Sequence, residues 1–565
     1  DDTSARFLES LAPTISGAPI LLLTTYRPGT RPTWLDLSHA TQMALPQLPP
    51  AASLEVVRSV LEVDDVPEDL GRVLLDRGAG NPFFLEELAL AAQDARGADD
   101  VPRTVQDVLM ARIDRLPVGA RSALQTAAVL GRRFPLQLLA SVWAGGTPLR
   151  DELETLAREE FVVEALVDGE VGCAFRHALT QDVAYRSLGA GRRTALHESA
   201  GLSLEARYAG RTDEVDGLLA HHWSRTEDAQ RAVAYLQRAA DASARGYAHA
   251  EATTMLREAL RHAERLPASE RERSVVELTL RRVASLYFLG RMDESQRALD
   301  GLTARVETLA DPPLECAYRF WTAHTASHLG MPDLAERAAR ASIELAEALD
   351  DHAALGRARY IRVRQGWWTG SFEEGVREGD AAIPLLEEAG EVWWLGHCHF
   401  FVAHSLYSMG RFDAALESAA RGEAIGDAVA DPRLRSWAAW AHGLYEAARG
   451  DPDAGVERCQ AGIELSPDEP NTAWALGARG FARREQGDLD GAIVDLRRAI
   501  GLAESTRHPG IRARFLGWLA EALRRAEDLA EASAVARRSG ETAERIWCRW
   551  VMALALRTQG RIAAD

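Results

Sequence analysis

The C-terminal half of this 565-residue chain repeats one short pattern about every 40 residues. It reads Gly290-Arg-Met-Asp-Glu-Ser, Gly330-Met-Pro-Asp-Leu-Ala, Gly370-Ser-Phe-Glu-Glu-Gly and Gly410-Arg-Phe-Asp-Ala-Ala. It continues with Gly450-Asp-Pro-Asp-Ala-Gly, Gly487-Asp-Leu-Asp-Gly-Ala, a degenerate Glu527-Asp-Leu-Ala-Glu-Ala and Gly560-Arg-Ile. Self-similarity at a fixed period of this size limits the fold to stacked units that bury one another's apolar faces.

The chemistry of the pattern defines the unit. Each glycine follows an apolar helical stretch, where a helix end favours a left-handed residue without a Cβ. Acidic residues follow it, as the N-terminus of a new helix prefers. Five residues after the glycine stands a small residue: Ser295, Ala335, Gly375, Ala415, Gly455, Ala492, Ala532. Seven before it stands another small or short one: Val283, Ala323, Val363, Ala403, Gly443, Gly480, Ala520, Ala553. Small residues on both helices let their axes approach closely, so each unit is predicted to be a helix–turn–helix hairpin. The pattern resembles the tetratricopeptide class, at a longer period.

Composition narrows the function. Hydrophobic residues make up 47% of the chain, enough for packed cores. Five scattered cysteines argue for a reducing, cytoplasmic setting and against a disulfide framework or zinc site. No apolar run reaches membrane-spanning length and no signal peptide opens the chain, so no membrane partner is expected. A net charge of −19 disfavours nucleic acid. All 65 basic residues are arginine, so a Gly-x-x-x-x-Gly-Lys-Ser/Thr phosphate loop cannot lie in these residues. No nucleophile-and-base constellation stands out either, so this chain alone is not expected to be catalytic.

In chain order, Ala5–Ala12 reads as a capped helix and residues 18–28, Ala-Pro-Ile-Leu-Leu-Leu-Thr-Thr-Tyr-Arg-Pro, as an apolar strand buried on both faces. A proline-rich connector at 45–50 precedes a helical subdomain ending Gly78-Ala-Gly-Asn-Pro-Phe-Phe-Leu-Glu-Glu-Leu88. Residues 104–190 read as a winged-helix unit of four helices and a hairpin turning at Asp168-Gly169. Between Arg150 and Arg176 eight acids oppose three arginines, so this unit is expected to make contacts within the protein rather than to read DNA. It closes with Phe175-Arg-His-Ala-Leu-Thr-Gln-Asp-Val-Ala-Tyr185. The rest is helical, with irregular opening hairpins at 213–239 and 247–266. Trp367, Trp368, Trp393, Trp394, Trp437, Trp440, Trp547 and Trp550 are expected to pack between helices, with some lining a concave ligand or partner site. His397-Cys398-His399 is not expected to bind metal, because adjacent helix positions diverge.

These motifs, in this order, resemble the signal-transduction ATPases with numerous domains. The phrasing is similar to the bacterial group fused to class III adenylate or guanylate cyclases. The resemblance implies a mostly α fold: a partial α/β nucleotide-binding remnant (1–46), a helical lid (47–100), a winged-helix domain (101–190) and a tetratricopeptide-like superhelix (191–565). It assigns nucleotide contacts to Thr25 and the sensor Arg27, to the lid turn Gly80-Asn81-Pro82 and to His177, although the family's Met-His-Asp form is replaced by Arg176-His177-Ala178. It places the phosphate loop and any cyclase before residue 1, so ATP or ADP with Mg is expected only with that upstream core. A protein or small effector is expected on the superhelix. Two alternatives remain open: a tetratricopeptide scaffold, and an ATPase-type transcriptional regulator lacking its DNA-binding module.

Overall fold

The computed structural model describes all residues except Asp1, Arg27, Pro28, Thr30, 94–103, 506–508 and Asp565. The chain divides into two compact units. Residues 1–250 with 261–265 form the first, and residues 251–260 with 266–565 the second. No described helix is long and apolar enough to cross a membrane.

In the first unit, α1 (Asp2–Thr14) is followed by residues 18–26, which form no strand. Leu21 and Leu23 are 90% and 84% exposed, while Leu22, Thr24 and Tyr26 are half-buried. The expected strand buried on both faces is therefore not formed by the described residues. An extended segment becomes a strand only by pairing, and no described residue completes a ladder with it. Then come α2 (Pro50–Leu61), α3 (Glu68–Gly78) and α4 (Pro82–Gln93), packed around Val57, Leu74, Leu85 and Leu88.

Next stand α5 (Val105–Arg115), α6 (Val118–Leu130), β1 (Arg133–Pro135), α7 (Leu136–Val142), α8 (Leu149–Arg158), β2 (Val162–Val167), β3 (Glu170–Phe175) and α9 (Ala178–Arg186). The hairpin turns where expected, because Asp168 and Gly169 both take positive φ, as a two-residue primed turn requires. The short strand β1 was not anticipated. It pairs antiparallel with β3, giving the order β1-β3-β2. The unit continues through α10 (Ala190–Arg207), α11 (Asp216–Trp223) and α12 (Ala229–Arg245). A further helix, α13, spans His249–Ala263.

The second unit is the repeat array. Its first helices are α14 (Ala268–Phe288), α15 (Met292–Asp300), α16 (Thr303–Leu309), α17 (Pro312–Leu329), α18 (Pro332–Leu349) and α19 (His352–Thr369). Then follow α20 (Phe372–Glu388), α21 (Val392–Ser408), α22 (Phe412–Ala428), α23 (Pro432–Arg449) and α24 (Pro452–Glu464). The last are α25 (Glu469–Gln486), α26 (Leu489–Ser505), α27 (Pro509–Arg525), α28 (Leu529–Arg545) and α29 (Arg549–Ala564). Gly290, Gly330, Gly370, Gly410, Gly450 and Gly487 take φ between 69° and 118°, and Glu527 follows at 64°. Gly560 does not end a helix: it lies inside α29, and Ala553 is exposed. The residues after it, Arg-Ile-Ala-Ala, are tolerable helix formers and carry the helix onward.

The small-residue columns are the crossing points. Apart from Ala553, both columns are buried throughout. A Cβ on Gly443 would lie 2.5 Å from the Gly455 carbonyl and 2.7 Å from Cys459 Sγ. A second period caps the hairpins: Asp311, Asp351, Asp431 and Asp468 accept from the backbone N–H groups of Leu314, Ala354, Leu434 and Asn471. Gly443→Ala is expected to destabilise the array by about 1–3 kcal/mol through overpacking. Gly501→Ala, whose Cβ meets open space on α26, is expected to stabilise it by about 0.5–1 kcal/mol. Urea unfolding of both variants checks this, and equal midpoints would contradict the close-approach account.

Candidate functional sites

The lid turn is built by its neighbours. Gly80 has φ +68°, and a Cβ there would lie 2.6 Å from the Leu48 carbonyl oxygen. The Leu48 N–H donates to the Gly80 carbonyl at 2.8 Å. The connector therefore covers this glycine. Asn81 Oδ1 accepts from the N–H groups of Phe83 (3.1 Å) and Phe84 (3.4 Å), which starts α4, and Pro82 is exposed at its first position.

One residue further, the Phe83 ring lies against His177, with centroids 4.0 Å apart. The structure thus brings the Gly80–Pro82 turn to the histidine at the start of α9. Burial lowers the His177 pKa, opposed by Glu87 and Glu86 and reinforced by Arg176 and Arg132. Glu87 is itself buried and receives Arg112 Nη1 at 2.6 Å on both carboxylate oxygens. Arg112 also donates to the Glu159 carbonyl at 2.8 Å and lies over Phe161, so one guanidinium joins α4, α5 and the entry to β2. Thr25 is exposed, and Arg27 lies outside the described residues.

A histidine cluster that the sequence reading missed sits farther along the same unit. His197 Nδ1 is 3.0 Å from His222 Nδ1, Tyr185 Oη is 2.9 Å from His197 Nε2, and His221 adjoins both. Burial keeps both rings uncharged, and His221 and Arg225 oppose extra positive charge at each, so the pair acts as hydrogen-bonded neutral imidazoles. Burial is the main cause that pushes both down to about 3.

The repeat array has the more unusual interior. Its lining comes from the first helix of successive hairpins: Phe320 and His324 on α17, Tyr360 and Arg364 on α19, Phe400 and His404 on α21, Trp440 on α23. Each column recurs at the 40-residue period. Trp440 and Trp474 stack at 5.2 Å with 9° between planes. Tyr360 Oη meets His397 Nδ1 at 3.0 Å, and Tyr445 Oη meets His404 Nδ1. Burial holds His324, His397 and His404 well below the usual imidazole range. The tryptophans expected to pack do so at Trp367 and Trp440, whereas Trp547 is 57% exposed. His397, Cys398 and His399 diverge, His397 toward Tyr360 and His399 toward Ser418.

Two buried cations in this lining, Arg364 and Arg514, were not foreseen. The signal was available: with the 37-residue spacing included, Arg514 falls in register with His397, Trp437 and Trp474. The array also curls until distant hairpins meet. Trp367 and Trp550 lie 5.5 Å apart, Ile546 packs on Gly330, and Arg433 reaches the Phe288 carbonyl at 3.4 Å.

Solved structures share the helical fold. The chain superposes on the signal-transduction ATPase with numerous domains from Pyrococcus horikoshii, which carries a tetratricopeptide repeat sensor. That match has a TM-score of 0.51 and 12% identity, covering 94% of this chain and 77% of that one. The repeat unit has a tetratricopeptide-like helical fold. A Rap protein complexed with competence and sporulation factor matches with a TM-score of 0.43 and 14% identity, covering 59% of this chain and 97% of that one. No protein-family model matches the chain. An uncharacterised protein of Rhizobium meliloti (strain 1021) is 27% identical over 279 residues, 46% of this chain. The chain spans only 26% of that relative's length.

The buried pair gives a pH dependence. His197 and His222 titrate lower in the folded chain than the 6.5 of a free imidazole, so the unfolded state binds more protons between about pH 6.5 and 3. Their contribution is full above pH 6.5 and falls by up to about 1.4 kcal/mol per pH unit for each histidine as pH drops through that window. Thermal melts from pH 7 to pH 4 are expected to show this loss, and His222→Gln to flatten it. An unchanged slope in that variant would contradict the assignment.

Proposed function

We propose that this chain is a regulatory segment in which the tetratricopeptide-like array binds a protein or small effector and passes that event to a nucleotide-responsive first unit. The observation that carries this reading is the contact of Phe83 with His177. Two motifs whose contacting residues are 94 positions apart in sequence, each matched to the switch ATPases, are brought side by side at one helix start. The three-stranded sheet with α5–α9 would be the winged-helix relay, since Arg112 links it to the lid through Glu87.

The fit to a nucleotide is divided. Pro82 is exposed and His177 only half-buried, so both are available to a base or phosphate. Gly80 is closed over by Leu48, and the Asn81 side chain is used as a cap, so these two shape the turn. A lysine-bearing phosphate loop would have to come from residues outside this chain, because it has no lysine. Bound ATP or ADP would supply the difference in charge that distinguishes two states, and the array would shift their populations. Control of an upstream cyclase extends the same proposal, as does a cytoplasmic location.

In the natural full-length protein, limited proteolysis is expected to give different patterns with MgATP and MgADP. Substituting His177→Ala is expected to erase that difference, while the 565-residue chain alone shows no micromolar MgATP affinity by calorimetry. Identical patterns in the full-length protein would favour the second reading, a scaffold whose array gathers partners without a switch.

A further inference from the structure

Several half-buried arginines in the array, and the buried Arg484, have carboxylate partners, while the buried Arg364 donates to the Ser327 hydroxyl at 2.8 Å. Arg362 is bonded by Glu336, Glu374 and Glu378, Arg479 by Asp495, and Arg484 by Glu485. Arg514 differs. It is 1% exposed, and among the described residues no carboxylate or carbonyl accepts from Nε, Nη1 or Nη2, the Tyr407 hydroxyl offering only a contact outside regular hydrogen-bond geometry. Four indoles surround its guanidinium: Trp518 at 4.3 Å, Trp367 and Trp550 at 5.4 Å, and Trp474 at 5.5 Å. Burial lowers its pKa only to about 10, so it stays charged at neutral pH. The nearby phenols of Tyr407 and Tyr445 are pushed upward by burial, so they are neutral and supply no counter-charge.

Ring faces attract the cation, but they leave its in-plane N–H donors unmet. A desolvated charge without an acceptor is among the most costly arrangements in a protein interior. The missing partner should be planar, singly charged and able to receive two parallel N–H bonds, which describes a carboxylate. Indole Nε1 of Trp367 and of Trp550 also lacks an acceptor among the described residues. A surface hollow lined by Ser327, Gln365, Trp368, Gly510 and Ile546 opens one turn of α27 before Arg514, and its lining includes neither Arg514 nor the four caging indoles. It lies where Gly330 backs onto Ile546, at the seam that closes the curl.

We propose that Arg514, within the cage of Trp367, Trp474, Trp518 and Trp550, is the anion seat of an effector site, taking the carboxylate of a small ligand with a flat apolar body. This deepens the sensing role assigned to the array and rests on it. Ligand entry at the seam would bias how tightly the two ends of the curl close.

The test titrates the 565-residue chain with benzoate, with its neutral isostere benzamide and with inorganic phosphate, followed by calorimetry and tryptophan emission. Benzoate is expected to saturate with a dissociation constant of about 1 mM or tighter, and benzamide and phosphate to bind at least about tenfold more weakly. Arg514→Met should abolish saturable benzoate binding while leaving the thermal midpoint unchanged or raised, because it removes an unpaired buried charge. Arg514→Lys, which keeps charge without the planar fork, should fold and bind benzoate about tenfold more weakly. Equal binding of benzoate and benzamide, phosphate binding as tight as benzoate, or undiminished benzoate binding by either variant would overturn the proposal. If Arg514→Met does not fold, the wild-type comparison and Arg514→Lys still decide it. A failed titration with the nucleotide response of the full-length protein intact removes the anion seat alone. Saturable benzoate without that response removes the switch instead.

Discussion

The array depends on the close crossing of two helices at one small residue from each. Backbone approaches backbone at Gly443 and Gly455, where either Cβ would meet a carbonyl oxygen below 3.0 Å. At Gly366 and Gly375 the same is achieved one turn displaced, with 2.8 Å between an added Cβ and the facing glycine. Close axes let each hairpin present a continuous apolar face to the next, so stacking rather than hairpin stability supplies the core. The turn glycines and the aspartate caps then fix where every helix ends.

The same geometry sets the character of the interior. The columns Phe320, Tyr360, Phe400, Trp440 and His324, Arg364, His404 on the first helices become rows along the inner wall. In this chain the inner wall carries tryptophan, histidine, tyrosine and two arginines, not aliphatic residues alone. The interior therefore holds rings and polar atoms at high density. Some find partners, as Tyr360 does with His397. Neither ring nitrogen of His324 has one among the described residues, and the guanidinium of Arg514 has no carboxylate or carbonyl acceptor among them. That polar excess is the feature on which the proposed effector site rests.

The hairpins were legible because glycine, acid and small residue each have a direct backbone reason to stand where they do. The hairpin at Asp168-Gly169 and the lid turn at Gly80 were legible on the same grounds. What failed was local too. Leu21-Leu-Leu reads as a buried strand from apolarity alone, yet burial is a property of partners that a one-dimensional pattern does not contain. Gly560 failed because the residues after it are able to continue the helix. The contact of Phe83 with His177 was legible only through resemblance, since neither residue signals the other. Arg514 was hidden for another reason. Arginine on a helix reads as a solvated charge, and only the column register with Trp437 and Trp474 places it inside. The curl that brings Trp550 to Trp367 arises from small rotations summed over many hairpins, which no single repeat encodes.

Native-state hydrogen exchange tests the central claim most directly, namely that the array is a closed curl whose far hairpins are tied through the aromatic interior. The amides of α28 and α29 should exchange as slowly as those of α19 and α21, because Trp550 and Ile546 anchor the last hairpins against Trp367 and Gly330. Exchange that quickens steadily from the middle of the array toward α29, as in an open solenoid held only by nearest neighbours, would contradict it.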